Sequence, residues 1–153
     1  MFNWFNKKAV DFFSITEKEQ IVNAVKTAEL QTSGEVRVFI ESKCRFVDPL
    51  DRAKEIFEQL NMHNTEERNA VLVYIAMKHR QLAVFGDEGI YKKTGKMFWN
   101  DQVKTMLYHF NKNDYVDGIA EVVLKIGGAL KEYFPHDTVN DVNELPDDIV
   151  FGN

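Results

Sequence analysis

The stretch TSGEVRVFIES, Thr32 to Ser42, sets a carboxylate, Glu35, directly after a glycine at the point where an apolar strand begins. A second stretch, LAVFGDEGI, runs an apolar strand into Asp87 and Glu88, again beside glycine. Between them lies Arg68-Asn69, preceded by Thr65, Glu66 and Glu67. Carboxylates, a side-chain amide, a hydroxyl and backbone carbonyls are hard oxygen donors, the set that suits calcium or magnesium. Like charges gathered at one place repel unless a cation joins them. The chemistry these residue types offer is divalent-cation binding by Glu35, Asn69, Asp87 and Glu88. Calcium is favoured over magnesium, whose strict octahedron is poorly met by ligands from separate turns. The plainer alternative is that acids at strand ends cap a helix or stand in solvent. An EF-hand is excluded, because no D-x-[DN]-x-[DN]-G loop with a distal Glu occurs.

Other chemistries have less to draw on. His63, His79, His109 and His136 form no H-E-x-x-H pair, which excludes a zinc enzyme of that type. There is no G-x-S-x-G elbow, no P-loop and no G-x-G-x-x-G. Cys44 stands between Lys43 and Arg45, and neighbouring positive charge lowers a thiol pKa. A structural cysteine is the commoner outcome. Arg37, Arg68 and Arg80 could meet an anion, a role surface arginines seldom take.

For the two acidic turns to meet, the elements around them must bring both to one edge. SITEKEQIVNAVKTAEL predicts a helix, with Thr16 and Glu19 at capping-box spacing and Ile21, Val22, Val25 and Ala28 on one face. Val36, Val38 and Ile40 alternate through a strand. After Pro49, the residues Leu50, Ala53, Ile56, Phe57 and Leu60 mark a second helix. Ala70 to Met77 is apolar nearly throughout, as a strand covered on both faces would be. The short Lys78-His79-Arg80 link makes QLAVFG its hairpin partner. Past Gly95, Phe98, Trp99, Val103, Met106 and Phe110 trace a third helix, and Asp114 heads a fourth in which Gly127-Gly128 permits close packing.

This order predicts an α/β class, a three-layer α/β/α sandwich around a small mixed sheet. Strand one, the crossover helix and strand two make a βαβ unit, so those strands run parallel, and strand three returns antiparallel. The starts of strands one and two and the end of strand three then share one rim, carrying Glu35, Asn69, Asp87 and Glu88. The opposite rim receives Ser42, Lys43, Cys44, Lys78, His79 and Arg80.

With 153 residues, 44% of them hydrophobic, the chain suits one domain. It divides into an N-terminal segment 1–14, a domain 15–136 and an acidic tail 137–153. Phe2, Phe5, Ala9 and Phe12 lie near helical spacing, which would allow an amphipathic helix on a membrane or a partner, its own domain being the commoner destination. The net charge of -5 comes from the tail, where Asp137, Asp141, Glu144, Asp147 and Asp148 have no Lys or Arg among them. The body is neutral and shows no basic stripe, which argues against nucleic acid as a partner. No run approaches the ~18 apolar residues of a transmembrane segment. The opening is interrupted by Lys7 and Lys8 and does not read as a signal peptide. With a single cysteine fitting a reducing compartment, a cytoplasmic location is expected. The tail is aperiodic and broken by Pro146, so it is expected to be dispensable for the fold, with Leu145, Ile149 and Val150 its candidates for docking.

The combination of TSGEVRVFIE, RNAVLVYIA, RQLAVFGDEGI, NDYVDGI and the closing FP…NELPDDI resembles the TPM domain, from about Ile15 to Phe134. The tail is similar to that of short stand-alone bacterial members. The resemblance implies an α/β/α sandwich and divalent-cation binding, calcium in particular. It also implies one of two kinds of work: an accessory role in a membrane complex, or phosphatase activity. The family's acidic site would fall at Glu35 and at Asp87 or Glu88. The sequence departs at one place. Where many members have Asp-Asn-Gly before the second strand, this chain has Arg68-Asn69-Ala70, and losing that Asp weakens both a tight metal cage and a metal-assisted phosphatase. The resulting expectation is a calcium-binding module that serves a protein partner or membrane-associated complex. The alternative is a metal-assisted phosphatase, in which the cation polarises a phosphoryl oxygen and Arg68 offers charge to the phosphate.

Overall fold

Ser14 opens the first helix. Its hydroxyl accepts from the Glu17 N–H at 3.1 Å, and the Glu17 carboxylate accepts from the Ser14 N–H at 2.9 Å, a reciprocal capping box. The box lies two residues ahead of the Thr16–Glu19 spacing that the sequence also offers. Starting at Ser14 lets the buried Phe13 seat on the core just before the helix.

The computed structural model describes residues 8–135 and 149–153. After a 3-10 turn (Ala9–Phe12) come α1 (Ile15–Glu29), β1 (Glu35–Glu41), α2 (Pro49–Gln59), β2 (Ala70–Ala76) and β3 (Gln81–Gly86). Then follow α3 (Glu88–Thr94), α4 (Lys96–Phe110), α5 (Tyr115–Tyr133) and β4 (Val150–Phe151). Ala9 is fully buried and Phe12 packs on the core, so the described part of the N-terminal segment lies on its own domain. Phe2 and Phe5 fall outside the described residues.

The sheet order is β3-β2-β1-β4. β1 and β2 run parallel from Glu35–Ala70 to Glu41–Ala76, and β2 and β3 run antiparallel from Val71–Gly86 to Ala76–Gln81. Alternation sorts the side chains into two layers. Val36, Val38 and Ile40, with Val71, Val73 and Ile75, pack against α1, α4 and α5. Phe39, Leu72 and Tyr74 pack against Ile56 and Phe57 of α2. The result is the three-layer α/β/α sandwich that the element order requires. At Gly127 a Cβ would come within 2.6 Å of the Ala28 Cβ, whereas Gly128 has nothing near it. The first glycine of the pair therefore sets the approach of α5 to α1.

Two elements are additions to the sequence reading. α3 has seven residues, too few to show a helical period. β4 has two, too few to show alternation, and pairs parallel with β1 at Phe39–Val150 and Ile40–Phe151. The Gly152 N–H donates to the Ile40 carbonyl and the Ser42 N–H to the Asn153 carbonyl, both at 2.8 Å. Ile149 and Phe151 pack on one core layer and Val150 on the other. The last five residues of the tail, expected to be aperiodic and outside the fold, thus pair with the sheet and pack on both core layers. Most of the tail, Leu145 included, lies outside the described residues.

Candidate functional site

The rim at the starts of β1 and β2 forms as the strand directions require. The Glu35 N–H donates to the Asn69 carbonyl at 3.4 Å, the Asp87 N–H to the Ala70 carbonyl at 2.9 Å and the Gly89 N–H to the Arg68 carbonyl at 2.8 Å. Three turns distant in sequence are therefore hydrogen-bonded neighbours. Glu35, Asn69 and Asp87 are buried, at 3%, 1% and 4% exposure, while Glu88 is exposed. A Cβ on Gly89 would come within 2.1 Å of the Glu67 carbonyl oxygen, so the 67–68 backbone lies directly on the start of α3.

Thr65 shapes the central turn. Its hydroxyl accepts from the Asn69 N–H at 3.3 Å, and its carbonyl accepts from the Arg68 N–H at 3.3 Å. Between them Arg68 adopts φ +52, the left-handed region that a residue with a Cβ rarely enters. From there its guanidinium forks onto Asp87, Nε to Oδ2 at 2.7 Å and Nη2 to Oδ1 at 2.9 Å, with Nη1 3.4 Å from Glu88 Oε1. Asp87 Oδ1 also accepts from the Glu88 N–H at 2.8 Å and so caps α3. The plainer reading of an acid at a strand end is realised at Asp87, and Arg68 supplies positive charge at the end of β3.

Asn69 is the unusual member. Its Nδ2 donates to Ser33 Oγ at 3.2 Å and to Glu67 Oε2 at 3.4 Å. A carboxylate only accepts, which fixes the amide's orientation. Oδ1 is then buried with no hydrogen-bond partner among the described residues. A buried acceptor left without a donor costs about 1–3 kcal/mol, and an amide oxygen is a donor that calcium takes readily. The donor types of Glu35, Asn69 and the rim carbonyls fit a divalent cation, whereas Asp87 and Glu88 fit only in exchange for Arg68. Among the described residues no group of three or more His, Cys, Asp and Glu side chains is arranged to hold a metal.

The opposite rim also assembles. The Lys78 N–H donates to the Ser42 carbonyl at 2.7 Å, and His79 Nδ1 lies 2.8 Å from the Cys44 carbonyl oxygen and 3.1 Å from the Cys44 nitrogen. Cys44 is buried, with Sγ 3.7 Å from the Phe46 carbonyl oxygen, a structural placement. Beside it stands a polar cluster that sequence reasoning missed. Arg52 forks onto the buried Glu41, Nε to Oε2 and Nη2 to Oε1 both at 2.9 Å, and the fully buried Tyr74 donates its O–H to the same carboxylate. Burial first, then that hydrogen bond, pushes the Tyr74 phenol far above its ordinary range, and the bond to Glu41 holds Arg52 firmly charged. A closed ion pair with a neutral phenol is a structural device. Its signal was available, since Glu41 shares the parity of Glu35, Arg37 and Phe39 on a face that α2 must cover.

A third cluster joins α4 to α5. His109 Nδ1 lies 3.2 Å from Asp114 Oδ2 and Nε2 lies 2.7 Å from Glu121 Oε2. Asp114 stands at the head of α5 without a side-chain cap bond, its carboxylate turned to the histidine. The hydrogen bond to Glu121, the larger influence, and that to Asp114 raise the His109 pKa.

No helix among the described residues is long and apolar enough to cross a membrane. A family model, the TPM domain, matches residues 7–129. The chain is similar over 93% of its length to the BA42 protein of the psychrophilic bacterium Bizionia argentinensis, solved by NMR, with 34% identity, 97% of that chain covered and a TM-score of 0.84. It shares the fold of the N-terminal domain of a P. gingivalis protein, at 17% identity, 83% coverage of each chain and a TM-score of 0.65. The N-terminal domain of the cg2496 protein from Corynebacterium glutamicum is similar in fold at 13% identity, with 78% of this chain and 74% of that one covered and a TM-score of 0.62. No curated protein matches the chain in sequence.

Proposed function

This chain belongs to the TPM domain family, and from that premise we propose that it is a divalent-cation binding module, calcium its preferred ion, acting as a binding or accessory protein. The site is the rim that joins the starts of β1 and β2 to the end of β3. The observation that carries the reading is Asn69 Oδ1, a hard donor buried among three hydrogen-bonded turns with no partner among the described residues. Glu35 and Asn69 would hold the ion with carbonyls of the rim, and Asp87 and Glu88 would join by releasing Arg68. The ion would supply the charge that ties the three turns together. Arg68 makes the site competitive, because a cation that recruits Asp87 must displace a guanidinium already forked on it. The metal-assisted phosphatase would instead call on Arg68 to meet a phosphoryl oxygen, a task for which the same fork would have to open.

Residue-resolved NMR of the full chain, titrated with calcium and then magnesium, tests the proposal. Calcium should move the amide signals of Glu35, Asn69 and Asp87 to Gly89. At a free concentration a hundred times the dissociation constant it should stabilise the fold by about 2.7 kcal/mol, with magnesium doing less. Glu35→Gln and Asp87→Asn should each remove most of that gain while the calcium-free protein stays folded. Equal gains in wild type and both variants would place the ion elsewhere and sink the proposal.

A further inference from the structure

β3 ends the sheet, with β2 on one side and no strand on the other among the described residues. The Asp87 N–H bonds the Ala70 carbonyl at 2.9 Å in register with the β2–β3 ladder. Antiparallel bonding alternates from that point, so Phe85, Ala83 and Gln81 bond to β2. Gly86, Val84 and Leu82 therefore turn their N–H and C=O groups outward. These three buried residues line the floor of a groove of about 870 Å³ between the start of α2 and the α3–α4 pair. Phe85 and Leu50 line it on the α2 side, and Trp99, Val103 and Tyr91 on the other.

From this geometry we propose that the groove docks an extended acidic segment of a partner protein, which adds to β3 as a further strand. The inference does not rest on the cation reading. An added strand points alternate side chains to opposite faces, and here each face meets apolar surface. Six residues of β3 offer a template about 20 Å long, enough for a five- or six-residue segment.

Charge selects the occupant. Lys54 on one wall and Lys92, Lys96 and Lys104 on the other are exposed, and none makes an ion pair among the described residues. Among the described residues three acids line the groove, and each is already engaged. Asp48 accepts from the Leu50 N–H at 2.9 Å, Asp87 holds Arg68, and Glu88 lies 3.4 Å from that same guanidinium. Among the described residues the uncommitted charge is positive on both walls, and it favours a segment that presents acids as well as apolar side chains to each face. A second copy of this chain, paired edge to edge, would bring the two sets of lysines together and be repelled. Strand addition supplies affinity through main-chain bonds, and the walls supply selection.

The test uses the isotope-labelled full chain and three capped synthetic peptides: an acidic one of Val with Asp or Glu placed on both strand faces, its lysine counterpart, and the acidic one with Pro at its centre. The acidic peptide should shift the amides of Leu82, Val84 and Gly86 with a submillimolar dissociation constant, weakening as salt rises. Lys92→Glu with Lys96→Glu should weaken it at least tenfold, and so should Lys54→Glu on the opposite wall with Lys104→Glu. Neither the lysine peptide nor the Pro peptide should compete. No shift at millimolar acidic peptide would mean that the lysines only guard the edge against self-pairing, and the proposal would fall. Equal binding by the lysine or Pro peptide, unchanged binding in both variants, or concentration-dependent shifts without peptide would overturn it too, the last by showing a second copy in the groove.

Discussion

Arg68 occupies a left-handed backbone conformation and gains there a fork onto a buried carboxylate. Replacing it with alanine takes away the competitor for Asp87 and Glu88. Arg68→Ala should therefore bind calcium several-fold more tightly than wild type in a calorimetric titration, while melting earlier without calcium. The His109 cluster acts in the opposite sense to a carboxylate. Its pKa is raised in the folded state, so its contribution is complete below the unfolded value, about 6.5, and is lost as pH rises through the folded one. The gap in melting temperature between wild type and His109→Gln should be widest near pH 5 and close toward pH 8. At Glu41, removing one member of a buried pair costs about 3–5 kcal/mol. Arg52 keeps 21% of its side chain exposed and can rehydrate, so Glu41→Ala should cost about 2–3 kcal/mol in denaturant unfolding, with Tyr74 losing its acceptor as well.

The long elements announced themselves because each buries one face and repeats its period several times: β1, β2, α2, α4 and α5 lie where their apolar spacing puts them. From their directions the convergence of Glu35, Asn69 and Asp87 on one rim was also legible, since strand order and hairpin sense fix it. The bond from Arg68 to Asp87 was not. It depends on a single positive φ and on Asp87 capping α3, neither of which leaves a period in the sequence. Gly89 is the joint between these pieces. A Cβ there meets the Glu67 carbonyl, so Gly89→Ala should push the 67–68 backbone from α3, costing about 1–3 kcal/mol and blunting the calcium response together. If stability falls and the calcium response stays whole, the ion does not depend on this joint. β4 is the other element sequence could not show. Deleting residues 149–153 should lower stability by about 1–3 kcal/mol, a loss of several degrees in melting temperature.

Across the whole molecule the two edges of the sheet are treated differently. Among the described residues one edge carries β4, and the other ends at β3 between lysine-bearing walls. The β4 edge also sets an order of events. β4 meets β1 across about 110 positions of sequence, and the free energy of closing a loop grows only slowly with its length. Pairings of that range are nonetheless the slow ones, because ordering is spent before contact repays it. The hairpin of β2 and β3 and the crossover through α2 have much shorter loops to close. The chain should therefore assemble those first and latch β4 last, and in the native state β4 should be the first strand to let go. Hydrogen exchange would record this as early loss of protection at Gly152 and Ser42, whose amides bridge β1 and the closing segment, while the amides of β2 hold to the limit of global unfolding.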